Sequence, residues 1–389
     1  MSAVLDYFEY FRARRCSTNR SVRSALDIKD RSRTSVLPWR GQFSPQLVEY
    51  LLEQIDGSVV LDPFCGSGTV LYESAAVGKD AVGIDVNPAA TILASLSKFC
   101  GLSSKQRLGD FSTLSEDVLR AMGSSKSSAV GLDLCEMMPR SALNDCFLLH
   151  LFGDHKEVDR VKVERALRSF EQKLLGLPYS RSRIEVATGD SRFTALPRSS
   201  IDAVVTSPPY INVFNYHQNY RPVVEALGLS PLSAARAEIG ANRKHRQNRF
   251  MTVIQYCIDM QAVFNELWAI LRGGGIAIFV VGRSSKVRGV SFQNAALISA
   301  IAELCRLFNL RSKNERAFIN RFGETIYEDV LVLEKIADSP HVDETCKLGR
   351  EIGAQALLSA MGSADDAINE EIRDAYNRRD GIAGSPRYC

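Results

Sequence analysis

The stretch Val59-Val-Leu-Asp-Pro-Phe-Cys-Gly-Ser-Gly-Thr69, running on to Gly83-Ile-Asp-Val-Asn-Pro88, constrains this chain more than any other. A short apolar run ends on an acid, turns through Gly66-Ser67-Gly68, and enters a segment of helical spacing, 69–78. A second apolar run, 81–87, again ends on an acid, Asp85, and Pro88 opens a further helix. Strand, glycine turn, helix and strand in that order imply a parallel βαβ unit, because two parallel strands need a crossover. The same alternation continues: 43–55 reads as a helix with Ser44 as N-cap and Pro45 at its first position. Residues 183–190, 201–207, 275–282 and 327–335 read as strands, while 253–275 and 294–309 read as helices, the former amphipathic with a glycine stop. The expected fold is α/β, a doubly wound, mostly parallel, seven-stranded sheet of Rossmann-like type, with ligands at the carboxyl ends of its strands.

About a hundred residues separate the second and third strands, far more than one crossover needs. The predicted organisation is therefore a basic N-terminal arm (1–36), a catalytic unit (37–100 and 181–336), a helical insertion (101–180) and a weakly periodic C-terminal tail (337–389). A smaller insertion, 211–250, follows the fourth strand. The chain has 389 residues, 45% apolar and 24% charged, and no run of 18 apolar residues, so no membrane span is expected. Nine cysteines without a CxxC pair and five scattered histidines argue against zinc and for a reduced compartment. Net charge is only +3, but basic residues cluster at 12–40, at Arg243, Lys244, Arg246 and Arg249, and at Arg283, Lys286 and Arg288. Such clusters suggest a polyanionic partner or a solvated face.

Chemistry concentrates in two places. Glycines at 66 and 68 let backbone approach a ligand at a helix N-terminus. Asp85 stands at the end of the second strand, where this kind of fold binds ribose hydroxyls, and the missing third glycine argues for an adenosine ligand without a pyrophosphate. The second place is Thr206-Ser-Pro-Pro-Tyr210. Each proline biases the residue before it toward extended backbone, and neither can donate to a sheet ladder, so the chain must leave the sheet there in a rigid turn.

The combination of LDPFCGSGT, GIDVNP and TSPPY resembles the S-adenosylmethionine-dependent amino-methyltransferases that modify exocyclic amines of DNA bases. The segment 37–53 is also similar to one that closes over the methionine end of the cofactor in that family. The resemblance spans about 38–335 without 101–180. It implies S-adenosyl-L-methionine as methyl donor and no metal. Asp62 with Gly66, Ser67 and Gly68 would hold the methionine part, Asp85 the ribose and Asp190 the adenine amine, with Phe64 near the reaction centre. Ser207 and the Pro208 carbonyl would accept amine hydrogens, Pro209 would stiffen the turn, and Tyr210 would stack on a flipped base. Asn87 and Pro88 would shape the adenine pocket or cap a helix; Asn212, Asn215, Tyr216 and His217 are neighbours of the base. The implied partner is double-stranded DNA, read by one of the two insertions, in the cytoplasm, with a separately encoded restriction endonuclease as a further partner. Serine at 207 favours cytosine N4 as the target. Adenine N6, an RNA guanine-N2 activity and a catalytically silent nucleic-acid scaffold are the alternatives.

Overall fold

The computed structural model describes all residues except 1–2, 15–23, 29–32, 124–128, 212–214, 242–244, 320–322, 337–344, 363–364 and 389. Its centre is a seven-stranded sheet: β1 (Val59–Asp62), β2 (Asp80–Asp85), β5 (Ile184–Thr188), β6 (Ile201–Thr206), β7 (Leu271–Gly282), β10 (Phe308–Ile319) and β11 (Thr325–Lys335). Two small two-stranded sheets complete the strands: β3 (Ala129–Gly131) with β4 (Glu157–Asp159), and the hairpin of β8 (Ser284–Val287) with β9 (Val290–Gln293). The order in the large sheet is β10-β11-β7-β6-β1-β2-β5. All neighbouring pairs are parallel except those of β11, which runs antiparallel to both β7 and β10. From β1 the chain builds outward through β2 to β5, then returns to β6 on the other side of β1. A crevice therefore opens between the carboxyl ends of β1 and β6, where helices diverge to opposite faces.

The expected architecture is met, and the local reasons are visible. Helix α2 (Pro45–Glu53) starts where Ser44 accepts from the Leu47 N–H and Pro45 fills a position that needs no donor. Helix α3 (Thr69–Ala76) begins at Gly68, in the left-handed region at φ 89°. Helix α4 (Pro88–Ala94) is capped by Asn87 and tightens into a 3₁₀ turn, Ser95–Gly101.

Four expectations need correction. The long helix, α8 (Met251–Ile270), is buried almost all round rather than amphipathic, and it ends at Ile270 without a glycine stop. Gly273–Gly275 belong to β7, because Leu271 already pairs with Ile201 of β6. Helix α9 (Asn294–Leu304) is shorter than 294–309, and β10, unread in the sequence, begins at Phe308. The N-terminal residues do not all form a basic arm: α1 (Ala3–Ala13) buries Val4, Tyr7, Phe8 and Phe11 in the main core, and the Tyr7 hydroxyl donates to Glu303. Much of the basic run around it lies outside the described residues.

The tail is not loosely packed. Helix α10 (Lys347–Ala360) lies on α8, with Ile352 and Leu357 fully buried. Each such side chain contributes roughly 1.5–3 kcal/mol when withdrawn from water. The helices touch backbone to backbone, since a Cβ on Gly353 would come within 2.6 Å of Ile254 Cα. Helix α11 (Asp366–Asn377) follows, and the last described residues return to the sheet. The 101–180 insertion is helical as expected, with α5 (Ser104–Met122), α6 (Ala142–Phe152) and α7 (Arg160–Leu175). It shares one apolar cluster with Leu37, Tyr72, Leu93 and Leu96 of the sheet unit, so it is packed onto that unit rather than set apart from it.

Candidate active site

The carboxyl ends of β1 and β6 are joined by a hydrogen bond, Thr206 Oγ1 to Asp62 Oδ1 at 2.7 Å. Around this junction lies an open cleft of about 1240 Å³, mouth included, lined by residues from several segments. Segment 37–43 supplies Trp39 to Phe43, β1 and its turn supply Asp62, Phe64, Cys65, Gly66 and Ser67, and β2 supplies Asp85 to Asn87. Asp190, the whole Ser207–Tyr210 turn, Tyr216 and Ala237–Ile239 complete it with Glu328. Ten of the eleven residues singled out for catalysis or cofactor binding thus line one cleft; Gly68 does not, and serves as the start of α3.

The glycine turn works differently from the expectation. Its N–H groups are used internally: Gly66 donates to Asp85 Oδ2 at 3.1 Å and Gly68 to the Cys65 carbonyl at 2.8 Å. The Ser67 hydroxyl donates to the Leu37 carbonyl at 3.0 Å. Trp39 lies so close over the turn that a Cβ on Gly66 would meet its ring at 2.7 Å. The turn is therefore a floor against which segment 37–43 packs.

Asp62 is buried and Asp85 half-buried, and both carboxyls are shifted upward. Asp62 is 3% exposed, and burial raises its pKa to about 7 against hydrogen bonds from Thr206 and the Phe64 N–H. Burial likewise raises Asp85 to about 6, opposed by donors from the Asn87 and Gly66 backbone. Each Asp85 oxygen accepts one bond and keeps a lone pair for a ligand hydroxyl. Cys65 is held well above an ordinary thiol by burial, first, and by both acids, so it is no nucleophile.

Asp190 is a correction. It lines the cleft, but Arg192 donates to it from the backbone at 3.0 Å, from Nε at 2.9 Å and from Nη2 at 2.7 Å, and the Tyr388 N–H adds a fourth bond at 3.1 Å. A carboxylate offers about four acceptor sites, so none is left here for an adenine amine. Burial opposes ionisation of Asp190, yet the Arg192 bonds outweigh it and hold the pKa below the usual range. Arg192 also donates to Asp259 at 2.7 Å and to the Ser385 and Pro386 carbonyls, both at 2.8 Å. Ser385 in turn donates from backbone and hydroxyl to Asp259. The C-terminal segment is clasped to the back of the cleft through this buried cluster, which nothing in the sequence signals.

In the Ser-Pro-Pro-Tyr turn, Ser207 Oγ and the Tyr210 hydroxyl lie 3.1 Å apart. The Tyr210 ring packs edge-on against Gly282, where a Cβ would stand 3.1 Å from Cε2, and is half-buried. Tyr210 thus meets Ser207 through its hydroxyl, while the ring expected to offer a flat stacking face packs against Gly282. Gly240, at φ 70°, backs the turn; a Cβ there would sit 2.4 Å from the Tyr210 carbonyl oxygen.

Of the neighbours named from the sequence, Tyr216 and Asn87 line the cleft and are tied together, Asn87 Nδ2 to the Tyr216 carbonyl at 2.9 Å. His217 does not line it. Buried, it binds Glu238 through its backbone N–H at 2.6 Å and Nδ1 at 2.8 Å, which aims Glu238. Asn212 lies outside the described residues. Glu238, Glu328 and Trp39 are cleft residues missed in the sequence; of these only Trp39, inside LPWRGQF, stood in a recognisable segment. A second cleft of about 1530 Å³ adjoins the first and shares Gly41–Phe43, Ser207 and Glu328 with it. No described residue of 101–180 lines either cleft. Arg243 and Lys244 lie outside the described residues. In the third basic cluster Arg283 pairs with Glu315 and Arg288 with Glu371, each at 2.8 Å, which weakens its case as a phosphate contact. Among the described residues there is no cluster suited to a metal ion and no helix long and apolar enough to cross a membrane.

The profile of a DNA methylase family of N6/N4 type matches residues 13–94, so this stretch is similar to that family. The Type II methyltransferase M.MjaII of Methanocaldococcus jannaschii is 37% identical over 75 residues, 18% of this chain and 14% of that protein's length. Among solved structures, a methyltransferase of Methanosarcina mazei described as SAM-dependent aligns over 74% of this chain and 98% of its own, at 12% identity and a TM-score of 0.37. The rRNA methyltransferase aviRa of Streptomyces viridochromogenes aligns over 82% and 95%, at 13% identity and a TM-score of 0.34.

Proposed function

We propose that the chain is an S-adenosylmethionine-dependent methyltransferase acting on the exocyclic amine of a DNA base, with cytosine N4 as the target. The observation that supports this best is the meeting of two acids, Asp62 and Asp85, with the rigid Ser207–Tyr210 turn in one cleft at the switch point of the sheet. The cleft suits the cofactor by its donor set. Its buried carboxyls match a ligand carrying an ammonium, a sulfonium and a ribose diol, all of them cations or hydrogen-bond donors. Asp62 would face the methionine end under the segment 37–43, and Asp85 the ribose. When bound, the cofactor supplies an electrophilic methyl group.

The chain's own work is on the amine. Its lone pair is delocalised into the base, so nitrogen is a weak nucleophile until both hydrogens are accepted in fixed directions. Ser207 Oγ accepts one, its own hydrogen directed to the Tyr210 hydroxyl, and the Pro208 carbonyl accepts the other. Both acceptors sit on backbone fixed by proline, so little reorganisation is needed as charge develops. The base must first leave the duplex, at a cost of a few kcal/mol. Label transfer from methyl-labelled S-adenosylmethionine to DNA, RNA or neither, followed by mass spectrometry of nucleosides, tests the reading. N4-methylcytosine is the expected product; N6-methyladenine would overturn the base alone, and labelled RNA without labelled DNA would overturn the substrate.

Two predictions concern the cofactor. Asp85→Ala is expected to weaken S-adenosylhomocysteine binding at least tenfold while the melting temperature stays close to that of the parent; unchanged affinity in calorimetry removes Asp85 from the site. Binding is also expected to depend on pH. Asp62 and Asp85 titrate near 7 and 6 in the free protein, and a cationic ligand favours their ionised forms. Affinity for S-adenosylmethionine should rise from pH 5.5 to 7.5, with protons released on binding. Calorimetry in buffers of different ionisation enthalpy reads that release directly, and its absence would contradict the assignment. For stability the sign is opposite. Both folded pKa values exceed the unfolded ones, so these acids favour the fold below about pH 4 and that contribution is lost as pH rises through 6 to 7.

A further inference from the structure

Strands β10 and β11 outrun the sheet. β11 pairs with β7 only as far as Glu328, opposite Gly282, while its pairing with β10 continues through Tyr327, Ile326 and Thr325, opposite Ala317, Phe318 and Ile319. Three residue pairs, roughly 10 Å of two-stranded ribbon, therefore project past the edge that bears the candidate site. Ile319 at the end of this arm is 56% exposed, and Tyr327 is 48% exposed. On one face of the ribbon the Arg316 guanidinium lies 4.9 Å over the Phe318 ring and 3.5 Å from Glu328. That face walls the second cleft, together with Ile319, and the cleft runs into the first at Ser207 and Glu328.

We propose that this arm is a DNA-contacting element, holding the target strand in the second cleft with Phe318 and Ile319 against its bases. The inference rests on the proposed function and adds to it which element meets the substrate. Three observations favour nucleic acid as the occupant. The cleft is continuous with the turn that would hold the flipped base. An aromatic ring backed by a guanidinium is a surface on which a base of any sequence stacks. A two-stranded ribbon also has the width a DNA groove admits. Among the described residues of the helical insertion 101–180, expected to meet the DNA, none lines either cleft.

The probe is a fluorescein-labelled duplex cut from DNA that accepts methyl label in the assay above. Ile319→Glu is expected to weaken duplex binding at least tenfold, and Phe318→Ala at least threefold. Affinity for S-adenosylhomocysteine and melting temperature, measured on the same preparations, should stay at parental values. Duplex affinity within twofold of the parent for both variants overturns the inference. So does a parent protein that sediments as a dimer while Ile319→Glu is monomeric with unchanged DNA affinity, which would make the arm an interface between copies. A parent protein that labels no DNA fails one step earlier, at the proposed function, and takes this inference with it.

Discussion

Ser207→Ala is expected to lower kcat by a factor of ten to about a hundred with the affinity for S-adenosylmethionine unchanged. The factor corresponds to about 1.4–2.7 kcal/mol of transition-state stabilisation, the scale of one lost acceptor aimed at developing charge. Cofactor affinity should hold because Asp62 and Asp85 have their own partners, none of them Ser207. Tyr210→Phe is the graded companion. It removes the hydroxyl 3.1 Å from Ser207 but leaves the ring against Gly282, so its loss should be smaller than that of Ser207→Ala. An interaction made mainly in the transition state lowers kcat and kcat/KM together, and steady-state kinetics distinguishes this from lost binding. Turnover of Ser207→Ala within twofold of the parent would remove Ser207 from the mechanism.

The second large effect is on stability. Arg192→Met leaves Asp190 and Asp259 without their cation, both buried, at 5% and 1% exposure. Removing one partner of a buried ion pair costs about 3–5 kcal/mol, because the remaining charge is stranded in a poor solvent. The expected result is a marked fall in melting temperature, accompanied by protease cleavage within 383–388. The pH dependence identifies the cause. Without Arg192, burial pushes the folded pKa of Asp190 upward, so the deficit is smallest at low pH and grows as pH rises. A variant as unstable at pH 5 as at pH 8 would point to lost packing instead. Asp259→Asn in the same background should recover part of the loss.

What the sequence disclosed and what it withheld have separate physical causes. β1, α3 and β2 were legible because each is bounded by residues with one local meaning: an acid, a glycine turn, a proline at a helix start. The site was legible where it lies on those boundaries, at Asp62, Asp85 and Ser207–Tyr210. Gly273–Gly275 misled because glycine after a helical pattern usually ends it, whereas the ladder from Leu271 to Ile201 claims these residues for β7. β10 was hidden because an edge strand buries little, and its run from Arg311 to Glu315 is polar. α10 looked weak because Gly349 and Gly353 interrupt its apolar pattern, yet those glycines are what let it lie directly on α8. Asp190 was expected at the cleft and is there. That its acceptor sites are taken depends on Arg192 and on Tyr388, 198 residues away in the chain, and no local pattern records such a meeting.

The clasp of residues 383–388 on Asp190, Arg192 and Asp259 has a bearing on synthesis. β1 and β2, with Asp62 and Asp85, leave the ribosome early, and the Ser207 turn follows. The cluster behind the cleft waits for Ser385, Pro386 and Tyr388, so Arg192 stays without two of its carbonyl partners until they emerge. Nascent chains and truncated products that stop short of residue 385 therefore hold an unfinished pocket.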